Sequence, residues 1–192
     1  MKNLIRPAIT LFILISLATG LLYPLAVTSI AQIAFPEQAA GSLLKRGDEI
    51  IGSTFIGQSF SGSTYFWSRP SATSPMPYNA SNSGGSNLGP TNPALIEAVN
   101  ERIKNLRANH SEKEKKIPTD LVTASASGLD PHISPAAAYY QIERVAAARS
   151  IDTAIVKSLV DRSIETPQSG LLGDSRINVL RLNLALDALE EK

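Results

Sequence analysis

PAITLFILISLATGLLYPLAVTSIAQIAF, residues 7–35, contains no Asp, Glu, Lys, Arg or His. About 20 apolar residues in a helix span the ~30 Å hydrocarbon core of a bilayer, so this run is long enough with residues to spare. Lys2 and Arg6 precede it, and the first charge after it is Glu37. The bias of cationic residues toward the cytoplasm predicts residues 1–6 as a cytoplasmic tail, 7–35 as a transmembrane anchor and 36–192 as one extracytoplasmic domain. A cleaved leader is the rival reading, but its apolar core runs only ~7–15 residues, and here the apolar character continues past Ala26 and Ala31. A retained anchor is favoured. Pro24 predicts a kink, tolerated in a membrane helix because neighbours re-satisfy the freed carbonyl. Gly20, with Thr19 and Ser29 near it, suits close approach by a partner helix.

Composition narrows the nature of the domain beyond the anchor. The chain has no cysteine. Disulfide stapling, thiolate metal sites and a cysteine nucleophile are excluded. Of 18 Lys and Arg, two precede the anchor, which leaves 16 beyond it against 17 Asp and Glu. No charge field there favours nucleic acid. The two histidines, His110 and His132, are too few for a histidine-based zinc site without carboxylates.

Hydrophobic pattern and turn residues predict a mixed α/β (α+β) domain with a small sheet and several helices. Glu49–Gly52, Ser53–Ile56, Tyr65–Trp67 and Leu121–Thr123 read as short strands. Residues 70–93, SATSPMPYNASNSGGSNLGPTNP after Pro70, read as an ordered surface loop. Asn92 caps a helix with Pro93 at its first position and an apolar stripe of Ile96, Val99, Ile103 and Leu106. HSEKEKK at 110–116 is a solvated charge run. Ser134–Pro135 opens another helix, Asp152 a third, and RINVLRLNLALDALEE is read as a helix despite its alternating leucines.

Motifs that carry chemistry are scarce. The glycine-rich SNSGGSNLG at 81–89 has no lysine, so it is no phosphate-binding loop of the Walker kind. Its backbone N–H groups could receive an anion, but a turn-rich surface loop is the simpler reading. Asp130-Pro131-His132 has the parts of a nucleophilic site without a G-x-S-x-G elbow. Two residues apart in an extended loop, Asp130 and His132 are expected to project to opposite sides, with Asp130 holding a turn and His132 bonded to backbone or a partner.

Several blocks together carry a resemblance. They are IIGSTFIGQSF at 50–60, YFWSRPSA at 65–72, SGGSNLGPTN at 83–92, PTDLVTASASGLDPHISPAAAYYQIERVAAAR at 118–149 and GLLGDSRINVLRLNLALDAL at 170–189. In order and spacing the chain resembles the C subunit of the bacterial Kdp-type potassium-transporting P-type ATPase. That resemblance implies a single-pass accessory and assembly subunit in the bacterial inner membrane. Its implied partners are a potassium-binding channel-like subunit, a P-type ATPase subunit and a small membrane subunit. ATP and potassium are handled by the complex, and no cofactor is expected on this chain, which lacks the Asp-Lys-Thr-Gly-Thr phosphorylation motif. The family proposal of a catalytic chaperone that raises ATP affinity comes with it. The implied motif or interface residues are Ser83, Gly84, Gly85, Asn87, Gly128, Asp130, His132 and Ser134; Gly20 and Pro24 are the membrane-packing candidates. A membrane-anchored envelope binding module is the alternative function, and an enzyme with a cleaved leader is a weaker one.

Overall fold

The computed structural model describes residues 2–110, 115–167, 170 and 172–189. Two compact units divide the chain, Met1–Ile51 and Gly52–Lys192.

The first unit is dominated by one helix that is long and apolar enough to cross a membrane, Leu4–Ala34. It comprises α1 (Lys2–Leu17), one π turn (Ala18–Leu22) and α2 (Tyr23–Ala34). The π turn is the local answer to Pro24. Proline has no N–H and its ring crowds the carbonyl four residues back, here that of Gly20. The helix widens instead, and Tyr23 N–H donates to the Ala18 carbonyl five residues back. Thr19 Oγ1 and Ser29 Oγ donate to the carbonyls of Ile15 and Leu25, each at 2.8 Å. These hydroxyls are satisfied within their own helix and do not need a partner for that purpose. A short α3 (Pro36–Ala39) follows, then β1 (Leu43–Arg46), which pairs with β2 (Glu49–Ser53) across a turn with Gly47 at φ +61°.

The second unit is built round α5 (Pro135–Arg149). The Ser134 hydroxyl accepts from Ala137 N–H at its start, Pro135 occupies the first turn, and Ser150 at φ +55° ends it. Eight of its residues are buried, including Gln141 and Arg144. A helix buried on most of its circumference is a core helix, which is why its amphipathic signal is weak. It packs against α6 (Thr153–Arg162), capped by Asp152, and α6 packs against α7 (Val179–Asp187). Ala137, Val145, Val156, Val160, Ile177, Leu182 and Leu186 lie at the centre of the core. α4 (Pro93–Asn109), capped by Asn92, adds Leu106 with Val99 and Ile103, but Ile96 of the expected stripe is 53% exposed.

The strands differ from the sequence expectation. Ser53–Ile56 is a turn closed by a single bridge between its ends. Leu121–Thr123 is not a strand: Leu121 ends a 3-10 turn, Thr119–Leu121, and Val122 and Thr123 continue as turn and bend. One further pair forms from segments of two residues each, β3 (His132–Ile133) running antiparallel to β4 (Ile177–Asn178). β4 runs straight into α7, where Asn178 Oδ1 accepts from Arg181 N–H at 3.1 Å. Residues 70–92 carry no helix or strand, as expected of the loop, and Pro93 already begins α4. Of the charge run at 110–116, residues 111–114 lie outside the described residues.

Tyr65–Trp67 is not a strand either, because side chains replace its neighbour strand. Asn183 Oδ1 accepts from Phe66 N–H at 2.9 Å, and Asn183 Nδ2 donates to Phe66 O at 3.0 Å. Gln141 treats Trp67 the same way, accepting from its N–H at 2.7 Å and donating to its carbonyl at 3.2 Å. Arg144 donates to Ser63 O and Tyr65 O, and its guanidinium lies 4.3 Å from the Trp67 ring centroid. Burial pulls the Arg144 guanidinium down to about 10, still charged at neutral pH.

His110 closes α4 against this assembly. Its Nδ1 lies 3.1 Å from Leu106 O, and its ring stacks on Tyr140 with centroids 4.4 Å apart. A carbonyl only accepts, so Nδ1 carries the proton and Nε2 is bare. Nε2 is buried and has no partner among the described residues. Burial, then Arg144 and Lys115, lower the His110 pKa against the opposing pull of Glu143. The folded chain thus takes up a proton less readily than the unfolded chain. Stability should fall as pH drops through the unfolded value of about 6.5 and level off below the folded one. Thermal melts of the detergent-solubilised chain between about pH 7.5 and 5.5 should show this decline, and His110→Phe should flatten it.

Candidate functional site

The motif residues sit where two loops cross. Residues 70–92 form one and residues 122–131 the other. Ser71 Oγ donates to Gly128 O at 2.7 Å and accepts from Tyr78 N–H at 2.9 Å. Ser83 Oγ and Gly84 N–H both donate to Ser127 O, at 3.0 and 2.9 Å. Gly57 N–H donates to Leu129 O at 2.8 Å. The second loop is folded on itself by Ser125 and Ser127, whose hydroxyls accept from Gly128 N–H and Leu129 N–H. Side-chain hydroxyls thus take the role that strand pairing has elsewhere.

Positive φ and crowding require glycine at Gly128, and close backbone neighbours favour it at Gly85. Gly128 has φ +66°, and a Cβ there would lie 2.5 Å from Thr73 Cγ2 and 2.7 Å from Gly84 O. A Cβ on Gly85 would lie 3.0 Å from Ala126 O. Gly84 has open space around its Cα instead, and its N–H is already engaged with Ser127. That bond removes the central donor from any anion-binding nest at the Gly-Gly pair. Asn87 is exposed, at φ +52°, a conformation asparagine tolerates better than most residues.

Asp130 is the electrostatic centre. The expectation that Asp130 and His132 project to opposite sides is wrong, since residues two apart in an extended chain share a face. His132 Nδ1 lies 3.3 Å from Asp130 Oδ1, and His132 N–H donates to the same oxygen at 3.0 Å. The other oxygen, Oδ2, accepts from Arg69 Nη1 at 2.8 Å. Burial would raise the Asp130 carboxyl, but the His132 side chain and backbone and then Arg69 outweigh it and hold it down to about 2. A carboxylate so held stays ionised at neutral pH and serves as a fixed acceptor, a poor proton shuttle. Next to it, burial first of all pushes the Tyr78 phenol up to about 12, and its hydroxyl donates to Arg69 O at 2.6 Å.

Ser134 belongs to a separate arrangement. Asp120 accepts from Ser134 N–H at 2.7 Å and lies 3.2 Å from its hydroxyl, which in turn caps α5. The structure therefore brings Ser83, Gly84, Gly85 and Gly128 together, joins Asp130 to His132, and leaves Asn87 and Ser134 apart from that crossing. Arg69 and Tyr78 are structural neighbours of Asp130 that are not among the site residues expected from the sequence. Arg69 lies just after the aromatic Tyr65–Trp67 run, and a lone arginine before Pro70 gives no signal of the distant acid it pairs with. Among the described residues no cluster of three His, Cys, Asp or Glu has metal-ligand geometry.

Comparison with known proteins places the chain in a family. Residues 5–188 match the family described as K+-transporting ATPase, c chain. The chain belongs to that family. The potassium-transporting ATPase KdpC subunit of Polaromonas naphthalenivorans is 60% identical over 99% of this chain and 97% of its own length. That of Dechloromonas aromatica is 56% identical over the full length of both, and that of Paraburkholderia phytofirmans is 55% identical over 99% of both. As a c chain, the protein devotes its densest motif to holding two loops together.

Gly128→Ala tests that role of the motif. The added methyl meets both a disfavoured φ and two close neighbours, so the domain should lose about 1–3 kcal/mol. Urea unfolding followed by the fluorescence of Trp67 measures the loss, and an unchanged midpoint would contradict it.

Proposed function

We propose that this c chain is the accessory and assembly subunit of an ATP-driven potassium uptake complex. Its partners are a potassium-binding channel-like subunit, a P-type ATPase subunit and a small membrane subunit. The full-length match to the family supports this reading most directly. Residues 7–35 anchor it in the bacterial inner membrane, supported by the apolar helix Leu4–Ala34. Lys2 and Arg6 orient the N-terminus to the cytoplasm and residues 36–192 to the outside.

The chemistry of the crossing loops suits a stabilising role. The Asp130 carboxylate is occupied by Arg69 and His132, and the Ser71, Ser83 and Ser125 hydroxyls are engaged with backbone. The exposed loop around Asn87 and the half-buried His132 offer the complex a shaped surface. In the anchor, Gly20 has nothing within 4 Å of where a Cβ would stand, which suits close approach by another membrane helix beside the Pro24 turn. ATP and potassium belong to the other subunits in this reading. An effect on ATP affinity, as the chaperone idea requires, would be a coupling free energy transmitted through the complex rather than contact with nucleotide.

One experiment reads orientation and partnership together. Spheroplasts expressing the tagged chain are treated with a membrane-impermeant amine reagent, then solubilised in mild detergent and purified by the tag. The chain should be labelled on lysines beyond residue 36, and a P-type ATPase and a channel-like protein should co-purify with it. An unlabelled chain would overturn the orientation, and a chain recovered alone would overturn the assembly role.

A further inference from the structure

A cavity of about 250 Å³ opens between the Phe60–Ser71 segment and α4. It differs in character from the loop crossing beside it. Arg69 and Arg102 both line it, and no carboxylate does. Arg69 is neutralised by Asp130, which is not part of the lining. Arg102 makes no ion pair of that kind among the described residues. Its one hydrogen bond there runs from Nη1 to the neutral carbonyl of Val122, at 2.8 Å. Burial lowers its pKa, and Glu101, its exposed chain neighbour, opposes that only in part. A half-buried guanidinium keeps most of its fork of donors for a planar anion. The other walls are mixed: Phe60, Trp67, Tyr78 and Leu106 give apolar and aromatic surface, and Ser59, Ser68 and Asn105 add neutral polar groups.

We infer that this cavity is a carboxylate site, in which Arg102 receives the two oxygens and the Phe60, Trp67 and Leu106 walls receive a short apolar arm attached to them. Size selects the class. Pockets for drug-sized ligands run about 300–1,000 Å³, so this one suits a single carboxylate-bearing group. Two sources carry that chemistry, the C-terminus of a neighbouring polypeptide and a free short-chain acid. Guanidinium–carboxylate pairing is bidentate and charge-assisted, so a neutral isostere should not substitute. The site borrows Arg69, Ser71 and Tyr78 from the loop crossing, but its anion-binding group, Arg102, belongs to α4, and the inference does not rest on the assembly role.

Trp67 is the chain's only tryptophan and lines the cavity, so it reports occupancy directly. The full-length chain in neutral detergent is titrated at constant ionic strength with sodium butyrate and, separately, with butanamide. A short peptide ending in free leucine is compared with its C-terminal amide in the same way. Saturable change in Trp67 fluorescence is expected with an acid and not with its amide. Response to the peptide acid alone assigns the polypeptide source, response to butyrate alone assigns the free acid, and response to both assigns a site that takes either. Arg102→Gln should weaken binding by about tenfold or more, as expected for loss of a charge-assisted pair. If neither acid exceeds its amide, or if folded Arg102→Gln binds as tightly as the parent, the inference is overturned. The acid-against-amide comparison on the parent chain decides the matter even where the variant does not fold.

Discussion

Two buried amides, Gln141 and Asn183, hold the second unit together. Each is almost inaccessible to solvent, and each closes a two-way pair of hydrogen bonds with the backbone of one residue, Trp67 or Phe66. Buried backbone polar groups left without partners cost about 1–3 kcal/mol apiece. A segment with no neighbouring strand would otherwise carry its N–H and carbonyl groups unpaired into the core. The amides solve that problem and fix the aromatic side chains of Phe66 and Trp67 at the same time. Arg144 and Arg149 extend the clamp. Arg149 donates to Thr64 O and pairs with Asp187 at 2.7 Å, tying α5 to the end of α7 through the same segment.

Everything in the loop crossing depends on that clamp. Arg69 lies two residues beyond Trp67, so the position of its guanidinium against Asp130 is set by the bonds from Gln141. Ser71 and Tyr78 then carry the chain across Gly128, and Ser83 and Gly84 bring it back to Ser127. The carboxylate of Asp130 is the far end of this sequence of contacts. Its donors come from Arg69 on one side and His132 on the other, and His132 opens the β3 strand that pairs with β4. The long loop is thereby ordered without a sheet of its own.

Sequence alone made the long apolar helix, the helix caps and the family legible. Asn92, Ser134 and Asp152 all occupy cap positions and accept the expected bonds, because capping is a local signal written within three residues. The strands were poorly legible for the opposite reason. Tyr65–Trp67 has strand composition, yet its partners lie 74 and 117 residues away on two helices. β3 and β4 have two residues each, too few for any period to show. Nothing local in the sequence marks the polar side chains of Gln141 and Asn183 as buried. Pro24 predicts a disturbance in its helix, and the form it takes, a π turn ahead of the ring, follows from relieving the clash at the Gly20 carbonyl. The opposite projection expected of Asp130 and His132 fails because the period-two rule of extended chain places both on one side.

Backbone amide hydrogen exchange at Phe66 and Trp67 tests the central claim most directly. Both N–H groups lie outside regular secondary structure and donate to buried side-chain oxygens. If the amide clamp organises the unit, they should exchange as slowly as the amides in the middle of α5, by opening of the whole unit. Exchange as fast as that of the exposed loop around Asn87 would contradict the account.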